Sequence, residues 1–177
     1  QTINFLTMVA RGAFIAVFMP AGRCDQLEIA PMGQSNDSFN QTKFRVAVDA
    51  KEVRSGSSAM DRARTVNLLG SAISTASDFV RPGHVVPIEA HPQGLLGREG
   101  HTEAGVELVR LAGFRPAVAV DLEILDDDGD MAHEAKLFEL SKKYDLKIVC
   151  IEDLIAYVKN EVACGSSRAA AAQSVIS

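Results

Sequence analysis

Long apolar runs are missing from this 177-residue chain. The longest, Gly12 to Gly22, contains Pro20 and falls short of the roughly 18 residues that a membrane-spanning helix needs, so no membrane partner is expected. Arg11 in front of it imitates the charged start of a signal peptide, but core-like sequence lies on both sides and the run reads as a buried strand. Cysteine is scarce too: Cys24, Cys150 and Cys164 are widely spaced, odd in number and form no C-x-x-C pair. That excludes a disulfide framework and a zinc knuckle and suits a reducing compartment; the expected location is the cytoplasm, or the plastid stroma in a plant or alga. Positive charge is in deficit, with 18 lysines and arginines against 23 aspartates and glutamates and a net charge of −5, so a nucleic-acid partner has no support in composition. An initiator methionine is absent; the chain begins at Gln1 and reads as processed or cut.

What is present suffices for one compact domain. Apolar residues make up 47% and charged residues 23%, which excludes a charge-driven disordered chain. The length is too short for two ordinary domains. Ala13 to Met19 is short, aromatic and β-branched, the pattern of a strand buried on both faces. Phe44, Val46 and Val48 alternate with Arg45, Ala47 and Asp49, which predicts a strand with one wetter face. Ser58 is placed to cap a helix that has Asp61 in its first turn. Val85 to Ala90 is strand-like, with Pro87 restricting it to an edge or a bulge.

The second half continues the mixture. A helix is expected from Thr102 to Ala112, with Val106, Val109 and Leu108 inward and Gly113 as its stop. A strand is expected from Ala117 to Leu125, ended by the acidic turn Asp126-Asp127-Asp128-Gly129. A helix marked by Ala135, Leu137, Phe138 and Leu140 closes on Lys142-Lys143, with the cations at the favourable end of its dipole. A last strand is predicted over Lys147 to Ile151, burying Cys150, then a last helix from Glu152 to Lys159. Residues 160–177 read as an Ala/Ser-rich flexible tail. The layout is a single α/β (α+β) domain, a mixed sheet flanked by helices.

Three constellations carry polar chemistry. Arg98-Glu99-Gly100-His101-Thr102-Glu103 sets a glycine before a helix start, with a hydroxyl after it and an arginine upstream. That wiring suits an anion: free backbone N–H groups, a positive helix end and a guanidinium fork. His101 there is placed to hold a metal or relay a proton. In the plainer reading Thr102 only caps the helix, and Arg98 and His101 are solvated. Arg81-Pro82-Gly83-His84 is a proline-glycine turn that delivers a histidine beside a strand. Asp121 and Glu123 interrupt a strand otherwise suited to burial, where an unpaired carboxylate is costly; two residues apart, they face the same side. Together these groups suit magnesium-assisted acid/base work on a phosphorylated substrate.

The blocks Ser58-Ala59-Met60-Asp61-Arg62-Ala63, Asp78 to His84, Gly100 to Gly113 and Asp127 to Ala132, in that order, resemble the 3,4-dihydroxy-2-butanone 4-phosphate synthase family. The resemblance runs from Asn4 to about Val158, giving a synthase-like domain over residues 1–159. It implies a lyase of riboflavin biosynthesis that converts D-ribulose 5-phosphate to 3,4-dihydroxy-2-butanone 4-phosphate and formate with magnesium, or manganese in its place. It further implies a homodimer with sites at the interface. Carried across, Arg98, Glu99, Gly100, His101, Thr102 and Glu123 bind substrate, with Arg98 and Thr102 on the phosphate. His101 becomes a metal ligand, and His84 and Glu123 the acid/base pair.

The chain departs from the family pattern in several places. The acidic loop R-E-x-E-G-D, which supplies a metal-binding glutamate in the family, would lie before Gln1. With His101 as the only matched ligand, magnesium is expected to bind weakly. Between Pro116 and Glu123 there is one residue more than the family has. A bulge or longer loop must absorb it to keep Glu123 in register, with Asp121 as the reserve. Two other readings stand beside the lyase: a catalytically impaired homologue serving as a dimeric scaffold or partner, and a lyase or isomerase for another phosphorylated sugar.

Overall fold

The computed structural model describes residues 1–11 and 14–161. Cys164 and all of the expected tail beyond 161 lie outside the described residues. The chain begins with a helix the sequence reading did not anticipate, α1 (Thr2–Val9). It continues through β1 (Ile15–Met19), the short α2 (Arg23–Gln26), β2 (Lys43–Phe44), β3 (Val48–Ala50), α3 (Ala59–Leu69) and β4 (Phe79–Glu89). Then follow α4 (His101–Leu111), β5 (Ala119–Asp121) and α5 (Glu134–Tyr144), and a last helix, α6, over 151–161. No described helix is long and apolar enough to cross a membrane.

The sheet is mixed, as expected. β4 lies inside it, parallel to β1 on one side and paired antiparallel with β2 and β3 in succession on the other, while β5 runs antiparallel along the far edge of β1. All five residues of β1 are buried, because helices cover both faces. On one face Ile15, Val17, Met19 and Val85 meet Leu69 and Val66 of α3 and Ile3 of α1. On the other, Ala16, Phe18 and Ile88 meet Val106 of α4. Each large side chain so buried contributes about 1.5–3 kcal/mol of transfer free energy.

Local signals placed α3 and α5 well. Ser58 Oγ accepts the Asp61 N–H at 3.1 Å, so the expected cap is formed. Thr65, fully buried, ties α3 to the sheet: its Oγ accepts the Ala50 N–H and donates to the Asp61 carbonyl. α5 ends with Lys142 and Lys143 in its last turn, although only Leu140 of its expected apolar stripe is buried.

Several expectations are corrected. Pro87 is not on an edge: it pairs with Val17 inside the sheet. Its carbonyl accepts the Arg45 N–H on the side away from β1, at the junction between β2 and β3. The N–H it lacks points to that same side, so the ladder to β1 loses nothing. The face of Arg45 and Asp49 is not wet; Asp49 is only 6% exposed, and Arg45 is ion-paired with the buried Glu89. Arg81 to His84 is not a turn but the irregular part of β4, where pairing jumps from Val48↔Val85 to Asp49↔Val80. The strand expected over Ala117 to Leu125 shrinks to β5, followed by an isolated bridge from Leu125 to Met131. Leu108 is exposed.

No strand forms over 147–151. Residues 146–150 are irregular and α6 starts at 151, because Leu154, Ile155 and Val158 make a helical stripe against Leu95 and Ala104. A short apolar run fits a strand or the lead into a helix equally well, and this packing decides. Cys150 is consequently exposed, whereas Cys24 is buried. Burial pushes the Cys24 thiol up to about 12, so it stays protonated and inert near neutral pH. A thiol-reactive probe should modify Cys150 in the native protein and reach Cys24 only on unfolding. Mass mapping that finds Cys24 labelled as fast as Cys150 under native conditions overturns this packing.

Candidate active site

β5 is three residues long with irregular backbone on both sides. The strand hands over Asp121 opposite Ala16, and Glu123 follows just beyond its end. Both carboxylates reach His101 at the start of α4: one ligand atom from each of His101, Asp121 and Glu123 lies within 4.8 Å of the others. His101 Nε2 stands 4.0 Å from Glu123 Oε1, beyond hydrogen-bond reach. Its ring rests against Phe18, with centroids 5.6 Å apart, and its side chain is 63% exposed. Burial holds the Asp121 carboxyl above the usual carboxylate range and the Glu123 charge adds to this, while His101 acts in the opposite sense. Beside the three groups opens a cleft of about 310 Å³, lined in part by Phe18, Ala104, Gly105, Ala119 and Asp121.

The start of α4 differs from the plainer reading. The helix begins at His101, Gly100 is its N-cap, and no side chain caps it. Thr102 therefore does not cap; it sits in the first turn at 1% exposure and presents almost no surface to a ligand. Arg98 is not solvated but clamped. Its Nη1 donates to Glu103 Oε2 at 2.7 Å and its Nη2 to the Asn40 carbonyl at 3.3 Å. Glu103, itself buried, accepts the His91 N–H with its other oxygen. Two of the five guanidinium donors are thus taken and the rest remain for an anion. Glu99 is exposed beside them.

His84 stands on β4, two residues before Val86. Ala16 of β1 pairs with Val86 on one side and Asp121 on the other. Strand alternation counted from Val86 therefore turns His84 towards the face of Asp121, two strands away across the sheet. The backbone N–H of His84 donates to Asp49 Oδ1 at 2.9 Å, and its Nδ1 lies 2.7 Å from Asp49 Oδ2. The sequence reading missed Asp49 and Glu103, the two buried acids that hold His84 and Arg98. A charged residue inside the apolar run Val46 to Ala50 was the available signal for the first. For the second, it was an acid five residues after Arg98, across a helix start.

The family described as 3,4-dihydroxy-2-butanone 4-phosphate synthase matches residues 1–157. The chain belongs to this family. A 3,4-dihydroxy-2-butanone 4-phosphate synthase of Agrobacterium fabrum is 44% identical over 163 residues, which cover 92% of this chain and 76% of the relative. The riboflavin biosynthesis protein RibBA of Aquifex aeolicus is 47% identical over 160 residues, 89% of this chain and 39% of that protein. Among solved structures, a 3,4-dihydroxy-2-butanone 4-phosphate synthase in complex with two magnesium ions aligns at a TM-score of 0.84 with 36% identity, covering 89% of this chain and 78% of that one. The mixed α/β fold is the synthase fold. The chain spans less than half the length of several curated relatives, 39%, 38% and 47% of three of them.

Proposed function

We propose that this synthase-family chain converts D-ribulose 5-phosphate to 3,4-dihydroxy-2-butanone 4-phosphate and formate in riboflavin biosynthesis, as a cytoplasmic homodimer with its sites at the interface. The observation that carries the reading is the meeting of His101, Asp121 and Glu123 at one end of the sheet, on the face to which His84 turns. A divalent cation fits them. One imidazole nitrogen and two carboxylates converge, and the Asp121 carboxyl, held up by burial and by Glu123, has unbalanced negative charge beside it. In this reading Asp121 and Glu123 join His101, the one ligand that the sequence matched. Magnesium, or manganese in its place, would be held by these three groups and would supply polarisation of sugar oxygens.

The chain's own residues account for the rest. Arg98 and the uncapped end of α4 at Gly100 and His101 bind the phosphate, combining guanidinium donors with a positive helix terminus. Clamping by Glu103 orients the fork before the substrate arrives, which lowers the cost of ordering it. His84 takes or returns a proton at Nε2 on one side of the sugar, and Glu123 does so on the other.

The test is formate release from D-ribulose 5-phosphate with magnesium, using the protein expressed from its complete natural coding sequence. Release is expected, and His84→Ala should lower it by about 10²–10⁴-fold, the span of one acid/base group. A wild-type protein that is folded, loaded with magnesium and releases no formate overturns the reading.

A further inference from the structure

We infer that Asp49 is the positioning residue of His84, holding its proton on Nδ1 and leaving the Nε2 lone pair for the substrate, and that the Ser55–Gly56 loop closes over the pair. The inference rests on the reading of His84 as an acid/base group, and it concerns how that histidine is made ready.

Asp49 is a buried carboxylate on β3, and a buried carboxylate persists only when its oxygens are satisfied. Both are used by one residue. Oδ1 accepts the His84 backbone N–H at 2.9 Å, and Oδ2 faces Nδ1 at 2.7 Å. An ionised carboxylate only accepts, so Nδ1 carries the proton and neutral His84 keeps its lone pair on Nε2. The ring is half exposed, at 51%, so that nitrogen is accessible. The backbone bond adds what a single contact could not: it fixes the rotation of the carboxylate and with it the plane in which the imidazole is held.

A third element lies on top. Gly56 has φ +74°, and a Cβ on it would stand 2.0 Å from Asp49 Oδ2 and 2.5 Å from His84 Nδ1. Only bare backbone comes that close. The loop is held there by α3: Asp61 Oδ2 accepts from the Gly56 N–H and the Ser55 hydroxyl at 3.2 and 3.1 Å. The Ser-Gly-Ser-Ser-Ala-Met-Asp block thus seats a cover over the carboxylate–imidazole pair as well as starting a helix.

Asp49→Asn keeps the shape and reverses the proton. The His84 backbone N–H still needs an acceptor, so the amide oxygen occupies the Oδ1 place and the amide NH₂ turns to Nδ1. Nδ1 must then accept, and the proton moves to Nε2. The experiment is ¹⁵N NMR of the histidine rings in the wild-type protein, Asp49→Asn and Gly56→Ala, with kcat and KM for each. The wild-type His84 is expected as the Nδ1–H tautomer and Asp49→Asn as the Nε2–H tautomer. In Asp49→Asn kcat should fall ~10³–10⁴-fold with KM little changed, the size of loss seen when a histidine–aspartate pair is given the wrong tautomer. Gly56→Ala should shift the His84 signals and lower kcat while far-UV circular dichroism is unchanged. Wild-type His84 with its proton on Nε2 overturns the inference whether or not a variant folds, as does a reversed tautomer in Asp49→Asn with kcat intact. A wild-type protein without formate release overturns the functional reading instead, and the tautomer measurement still decides this one.

Discussion

His101→Ala is expected to weaken cation binding and lower formate release together, and Asp121→Asn should also weaken binding while making the cation-free protein more stable at neutral pH. His101 contributes the single nitrogen of the three-residue group, and its loss removes one of three ligands while the two carboxylates remain. Asp121 acts in the opposite direction on stability. Its folded-state carboxyl is raised by burial and by Glu123, so the folded protein binds that proton more tightly than the unfolded chain does. The stability tied to this proton is present below the usual carboxylate range and is lost as pH rises through the raised value. Asparagine removes the loss, so the Tm gain over wild type should be largest near pH 7 and vanish in acid. Titration with manganese followed by electron paramagnetic resonance reads the binding, and thermal unfolding from pH 3 to pH 8 reads the stability. Wild-type affinity in both variants would remove the cation from this group. A Tm difference that grows towards low pH would contradict the burial of Asp121.

The second large effect is steric. Gly83→Ala should destabilise the protein by ~3–5 kcal/mol, beyond the usual range for one substitution. A Cβ on Gly83 would meet the Val48 carbonyl carbon at 2.0 Å, the Asp49 nitrogen at 2.3 Å and the Val48 oxygen at 2.4 Å. These are backbone atoms of β3 and cannot swing away as a side chain would. β3 must separate from β4 at the place where their register shifts, next to Val48 and Val85, both without exposed surface. At about 2–4 °C per kcal/mol for a chain of this size, Tm should fall by ~6–20 °C. Thermal unfolding monitored by circular dichroism checks this, and a fall of under about 2 °C would mean that the strands are not in contact there.

The chemistry of these two predictions was unevenly readable. His101 and His84 stand in short blocks whose order gave the family, with Arg98 two residues ahead of one of them, and the Ser58 cap and the start of α4 are marked by neighbours within a few residues. Asp49 read as a residue on a wet face because alternation says which residues share a face but not what covers it. Its partner lies 35 residues away. Pro87 reads as an edge or bulge residue because the rule assumes that every N–H in a strand faces a neighbour, and here one faces the gap between two short strands. Along the chain Glu123 is the expected residue and Asp121 the reserve. In the folded protein both reach His101, because β5 stops at Asp121 and the backbone beyond it is irregular.

The sequence by itself determined the mixed α/β class, the family and the identity of its polar blocks, because caps, glycine stops and motif order are short-range and survive without a partner. Tertiary structure alone decided that Asp49 is buried against His84, that two carboxylates stand beside His101, and that no strand forms over 147–151 ahead of the helix expected from Glu152. Each depends on what another part of the chain brings within hydrogen-bond or van der Waals distance, and burial turns a carboxylate from a solvated ornament into a group that must find a partner.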